Sequence, residues 1–272
     1  MITSTANAQV KELARLMKKG RARNEARVFI VEGPRMAGEL FRDPDWRGRI
    51  AKVYLSESYA VKNGKEREEL ERTVKMEILS DAVFAHVSAT KTPQGILAVV
   101  RRRTYEMADV LGPDPAHAHV LVLDDLQDPG NLGTIFRTAE AAGVTGLILS
   151  SGCVDIYNPK TVRSTMGAIL RMPFLQVEDV AGTIIELKKA GIRTYAAHLG
   201  GDRIYDEADY SSGCAFLIGN EGNGLRPEVA ECADQRIIIP MQGQAESLNA
   251  AVAASVLMFE VSRQRRRYPG EV

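Results

Sequence analysis

Apolar positions along this chain fall into two patterns. Short runs at Val28-Phe29-Ile30-Val31, Val53-Tyr54-Leu55, Met76-Glu77-Ile78-Leu79 and Ile96-Leu97-Ala98-Val99-Val100 predict strands, with helical stretches between them. Val10, Leu13, Ala14 and Met17 share one face of a helix that carries Lys11, Arg15, Lys18 and Lys19 elsewhere. The first hundred residues therefore predict a small α/β domain. Apolar runs return at 120–123, 146–149, 193–198, 214–219 and 236–241, with a helix predicted over 131–142. Runs apolar throughout suit strands buried on both faces, and their alternation with helices predicts a parallel sheet.

Between the two halves, residues 101–119 carry a charge run and then Gly112-Pro113-Asp114-Pro115. Proline fixes φ and removes a donor, so this stretch predicts an extended connector. The predicted domains are 1–105 and 117–272, with 106–116 as linker. The last helix is expected to start near Ser247. Leu248, Ala251, Val252, Ser255, Val256 and Phe259 form one stripe, and Ala250, Ala253, Ala254, Leu257 and Met258 leave the other faces nearly apolar. A helix apolar all round must be buried on several sides, which for a terminal helix points to a subunit interface. Arg263, Arg265, Arg266 and Arg267 are expected past its end, where they suit the negative end of the helix dipole.

Composition narrows the class. Hydrophobic residues make up 45% and charged residues 26%, which excludes a mostly disordered or collagen-like chain. No run approaches the length of a membrane span, and the first twenty residues lack the apolar core of a secretory signal. Cys153, Cys214 and Cys232 fit neither a disulfide framework nor a paired-cysteine metal site, and are expected to be reduced, buried thiols of a cytoplasmic protein. His86, His117, His119 and His198 have no partners at metal-ligand spacing, so no metal is expected. Net charge is zero, yet residues 1–103 carry a net +8 and the remainder −8. Arg15, Lys18, Lys19, Arg21, Arg23 and Arg27 make the front half a candidate polyanion surface.

The chain has no phosphate-binding GxxxxGK[ST] loop, no nucleophile elbow and no HExxH. Instead, three loops follow predicted strands: Asp124 to Gly133, running into a helix with Arg137; Gly219 to Leu225; and Ile239 to Asn249. Singly, each reads as a glycine-rich turn with a cap, Asn131 and Ser247 being candidate N-caps. In this order they resemble the three motifs of the SpoU/TrmH-type RNA 2′-O-ribose methyltransferases of the SPOUT superfamily. Asn131, Gly133, Arg137, Ala139 and Gly143 carry the first motif. Gly219-Asn220-Glu221 with Gly224-Leu225 carries the second. Ile239-Pro240-Met241, Gly243 and Ser247-Leu248-Asn249 carry the third. The resemblance spans 118–262. Phe29-Ile30-Val31-Glu32-Gly33 and Thr92-Pro93-Gln94-Gly95-Ile96 are similar to recurring segments of the substrate-binding domain that precedes such catalytic domains.

The resemblance implies an α/β-knot catalytic domain with a trefoil knot, a device rare among folds, behind a small α/β RNA-binding domain. It implies S-adenosylmethionine held by Leu199, Gly219, Asn220, Ile239, Met241 and Leu248. It implies methyl transfer to a ribose 2′-hydroxyl with Arg137 central and Asn131, Glu221, Ser247 and Asn249 around it. Glycine at 219 is expected to allow close approach of the ligand. Lys160 and Arg163, in a segment similar to one beside the first motif, are candidate phosphate contacts. The family's dimer, through knot and final helix, agrees with the all-round apolar helix. The two-domain layout is more like the rRNA-acting members. A tRNA enzyme with the same chemistry and a non-catalytic RNA-binding protein on the same fold are the alternatives.

Overall fold

The computed structural model describes residues 1–267, in two compact units: 1–104 with 155–170, and 105–154 with 171 onward. The first unit holds a four-stranded sheet of β1 (Val28–Glu32), β2 (Ile50–Ser56), β3 (Met76–Leu79) and β4 (Ile96–Arg101), in the order β1-β4-β2-β3. β4 pairs antiparallel with β1 and β2, while β2 and β3 run parallel. The amphipathic helix Ala8–Lys18 buries Val10, Leu13, Leu16 and Met17 in a core shared with Val28, Ile30, Phe84, Leu97 and Val99.

Residues 155–170, which the sequence reading assigned to the second domain, pack with this first unit. The Tyr157 ring lies 5.5 Å from Phe29, and the Trp46 indole donates a 2.7 Å hydrogen bond to the Leu170 carbonyl. Arg23 is 2% exposed. Its Nη1 donates to the carbonyls of Leu16 and Met17 near the end of the first helix, and its Nη2 lies 2.5 Å from Asp155. A guanidinium buried and spent this way offers nothing to a polyanion, so Arg23 leaves the predicted basic surface. Arg15 pairs with Glu12 and Arg21 with Glu25. Lys18, Lys19 and Arg27 remain exposed, with no ion pair among the described residues.

The second unit is built on a seven-stranded sheet, parallel in every pairing: β5 (His119–Leu123), β6 (Gly146–Ser150), β7 (Phe174–Val177), β8 (Arg193–Ala197), β9 (Arg203–Ile204), β10 (Cys214–Ile218) and β11 (Gln235–Ile238). The order is β7-β6-β5-β10-β8-β11-β9. Val120 to Leu123 are all 0% exposed, as a strand covered on both faces requires. β7 and β9 were not predicted. β7 mixes apolar and half-exposed positions, and β9 has only two residues, so neither carries an apolar run.

The expected extended connector is instead partly helical. Met107–Leu111 forms a helix closed by a reciprocal Glu106–Asp109 capping box, and Val110 and Leu111 enter the second unit's core. The final helix, Ala250–Arg267, is capped by Asn249 rather than Ser247, because Asn249 Oδ1 accepts from the backbone N–H of Ala251 and Val252. The four arginines therefore lie on its last turns rather than past its end. Ala251, Ala254, Leu257, Met258 and Val261 are buried, while Val252 and Phe259 are 48% and 46% exposed. Of the cysteines, Cys153 and Cys214 are buried and Cys232 is partly exposed.

Two outcomes follow from these buried groups. Arg23→Ala strands Asp155 and two carbonyls and is expected to destabilise the chain by about 3 kcal/mol in urea unfolding. His119 is 1% exposed with Nε2 unpartnered, and burial, aided by Arg265, pushes its pKa down to about 3 from 6.5. The unfolded chain takes up that proton first, so stability complete above pH 6.5 falls as pH drops towards 3, by up to about 1.4 kcal/mol per pH unit. His119→Phe is expected to flatten this acid limb in unfolding curves taken at pH 7 and pH 5.

Candidate active site

Strand order reverses between β5 and β10: the chain winds outward through β6 and β7, then lays β8 and β10 on the other side of β5. In open parallel sheets a crevice forms at such a point, beyond the carboxyl ends of the strands. The first and second loops leave β5 and β10 there, where Leu123 and Ile218 pair.

The first loop turns sharply. Asp125 has φ +56°, and Ser150 Oγ both accepts from its backbone N–H at 2.9 Å and donates to its Oδ1 at 2.8 Å. The following helix, Pro129–Ala142, is capped by Asp128 with Pro129 at its first position, so Asn131 sits inside the first turn and is not the cap. Its side chain is thereby free for other contacts. Asn131 Nδ2 donates to Glu221 Oε1 at 2.9 Å, and Asn249 Nδ2 donates to Asn131 Oδ1 at 2.9 Å. One residue from each of the three loops thus joins a single chain of hydrogen bonds.

Glu221 is its hub. Besides Asn131, it accepts the backbone N–H of Gln127 and of Asp128, each at 3.0 Å. Burial alone would raise its pKa, but these three donors outweigh burial and hold the carboxyl below its ordinary range. A carboxylate satisfied on both oxygens is a clamp and a poor proton acceptor. Gln127 and Asp128 act through their backbone and were missed from the sequence. The Asp-Pro pair ahead of Asn131 was the available signal, since it marks a cap and first helical position.

Beside this network lies a cleft of about 330 Å³. All six residues expected around a cofactor line it: Leu199, Gly219, Asn220, Ile239, Met241 and Leu248. Glu221 and Ser247 also reach it. Sequence reasoning did not mark Ile238 or Leu257, which add to its apolar wall. Its size falls within the range of small-molecule pockets, and apolar walls with backbone polar groups suit a nucleoside-bearing ligand. Gly219 has a different reason from the one expected. A Cβ there would stand 2.1 Å from the backbone of Gly224 and Leu225, so it is the loop's own return that needs glycine. Asn220 Oδ1 caps that loop by accepting from Gly222 and Asn223, and its Nδ2 donates to the Asp125 carbonyl.

Arg137 is exposed on the helix after the first loop and has no hydrogen-bond or ion-pair partner among the described residues. Lys160 and Arg163 belong to the first unit, Lys160 exposed and Arg163 half-buried with Nη1 covered and unpartnered. Among the described residues no cluster of His, Cys, Asp or Glu is placed to hold a metal, and no helix is long and apolar enough to cross a membrane.

Comparison with known proteins gives this arrangement a context. The signature of the SpoU rRNA Methylase family matches residues 118–259, and that of the MRM3-like substrate binding domain matches residues 7–98. The chain is 33% identical over 260 residues to the 23S rRNA (guanosine(2553)-2′-O)-methyltransferase RlmP of Bacillus subtilis, across 96% of this chain and 98% of that protein. It is 31% identical to an uncharacterized tRNA/rRNA methyltransferase of Synechocystis, covering 97% and 94% of the two chains. Among solved structures, the SpoU methyltransferase AviRb of Streptomyces viridochromogenes in complex with AdoMet superposes with a TM-score of 0.85 at 27% identity, over 96% of this chain and 98% of that one. An AdoMet-bound rRNA methyltransferase of Sinorhizobium meliloti gives 0.82 at 30% identity, over 96% and 97%. By sequence and by fold, the chain belongs to the SpoU rRNA methylase family.

Proposed function

We propose that this protein transfers a methyl group from S-adenosylmethionine to a ribose 2′-hydroxyl of large-subunit ribosomal RNA, in the cytoplasm. The observation that carries the reading is the convergence of three loops on one cleft, with Glu221, Asn131 and Asn249 hydrogen-bonded in series. The match across 98% of the length of the 23S rRNA methyltransferase of Bacillus subtilis favours rRNA over tRNA.

Leu199, Ile239, Met241 and Leu248 would enclose the cofactor, with Gly219 and Asn220 supplying backbone at its edge. Bound there, S-adenosylmethionine provides a methyl already activated on a sulfonium. The protein's remaining task is to align a weak nucleophile and to stabilise developing alkoxide charge. Arg137 suits that task. Its guanidinium stays protonated and can grip a phosphate with two parallel bonds, holding the adjacent ribose and favouring negative charge on its oxygen. Glu221, its oxygens taken, fixes Asn131 and the first loop. Ser247 and Asn249 border the same place from the third loop. Lys18, Lys19, Arg27 and Lys160 would add sequence-independent attraction to RNA, with Arg163 beside them.

The segments after β10 and β11 both return to one cleft, and β10 lies between β5 and β8. This order supports a trefoil knot in the second unit. The exposed Val252 and Phe259, a heptad apart on the final helix, support a homodimer through that helix. With tritiated S-adenosylmethionine, the expected acceptor is 23S rRNA. Label entering tRNA alone overturns the rRNA assignment, and label entering no RNA overturns the activity.

Arg137→Ala is expected to lower kcat by about a hundredfold or more, and Arg137→Lys by about tenfold, since lysine keeps the charge and loses the fork. Isothermal titration should show the affinity for S-adenosylmethionine unchanged in both. The pair Val252→Glu and Phe259→Glu is expected to shift sedimentation from dimer to monomer.

A further inference from the structure

The loops that meet at Glu221 are tied together at a deeper level by two residues the proposed chemistry does not use. Asp124, the last residue before the first loop turns, is 0% exposed. Its backbone N–H donates to the Ile218 carbonyl at 2.8 Å, at the entry to the second loop. Among the described residues its carboxylate accepts from Arg226 alone: from the backbone N–H at 3.2 Å, from Nε at 3.0 and 3.1 Å, and from Nη2 at 2.6 Å. Arg226 directly follows Leu225, the exit of the second loop. Both stems of the loop carrying Glu221 are therefore fastened to one residue. Asn220 adds a further tie, donating to the Asp125 carbonyl at 2.8 Å. The first loop then passes through the left-handed Asp125 to Gln127 and Asp128, whose N–H groups meet Glu221.

We propose that Arg226, acting through Asp124, is a positioning residue for methyl transfer: the pair sets the separation and tilt of the first and second loops so that Glu221 can grip Gln127, Asp128 and Asn131 together. A single buried acceptor and a planar fork define a direction as well as a distance, which a point charge would not. The neighbouring carboxylates Asp125 and Glu228 lie 3.8 and 3.7 Å from the guanidinium and add attraction without that direction. The kinetic consequence rests on the methyltransferase reading, and the structural one does not.

The test uses the full-length protein in two variants. Arg226→Lys keeps a cation for the buried carboxylate and loses the fork. The double variant Asp124→Asn with Arg226→Gln removes the ion pair while leaving two neutral partners, and serves if the lysine variant fails to fold. The Glu221 carboxyl is followed by 13C NMR titration, assigned with Glu221→Gln, in the absence of RNA and cofactor. In both variants its midpoint is expected to rise towards an ordinary glutamate value as the N–H donors diverge. In parallel, kcat is expected to fall by about ten- to a hundredfold per folded molecule, with KM for RNA and affinity for S-adenosylmethionine changed by less than about threefold. A Glu221 titration superimposable on the unsubstituted protein's overturns the proposal and leaves the pair as structural glue. Should the unsubstituted protein methylate no RNA, the activity falls and the titration still decides the positioning role.

Discussion

One carboxylate holds the second unit's working end together. Glu221 leaves the sheet after β10, yet its three donors, two backbone N–H groups and the Asn131 amide, all follow β5. The strands are neighbours only because chain order reverses between them, so the contact depends on topology before it depends on side chains. Asn249 then adds the third loop through Asn131. Both oxygens of Glu221 are engaged by the first loop, whereas Arg137, exposed on the helix that follows, has no hydrogen-bond or ion-pair partner among the described residues. The three loops thus form one hydrogen-bonded frame beside the cleft.

Much of this was legible in the sequence because it was written in unusual residues. Apolar runs marked the central strands, and the three glycine- and asparagine-rich loops stood out against them. All six residues expected around a cofactor line one cleft. What stayed hidden was local and geometric. Asp128 outcompeted Asn131 for the helix cap because proline at 129 suits the first helical position. Asn249 displaced Ser247 at the final helix for a similar reason: the cap is settled by which oxygen meets the first free N–H groups. Gly219 is needed by its own loop, a fact no spacing could show.

Charge was the least dependable guide. The front half's net +8 is real, but charge counts ignore pairing. Arg15 and Arg21 face glutamates, and Arg23 is buried against two carbonyls and Asp155. Guanidinium groups close helices and bind segments as readily as they bind phosphates, and only burial and partners distinguish the two uses. Of the six cations singled out in the sequence, Lys18, Lys19 and Arg27 are the ones both exposed and without an ion pair among the described residues.

The excursion of residues 155–170 into the first unit has a consequence for how such proteins can be divided or recombined. A cut after residue 104 would strip away Asp155, Tyr157 and Leu170, costing the Arg23 guanidinium its carboxylate, the Phe29 ring its Tyr157 neighbour and the Trp46 indole its acceptor. Moving the first unit as a working piece therefore means moving two stretches that are distant in the gene, since either alone leaves one side of the Arg23–Asp155 pair behind.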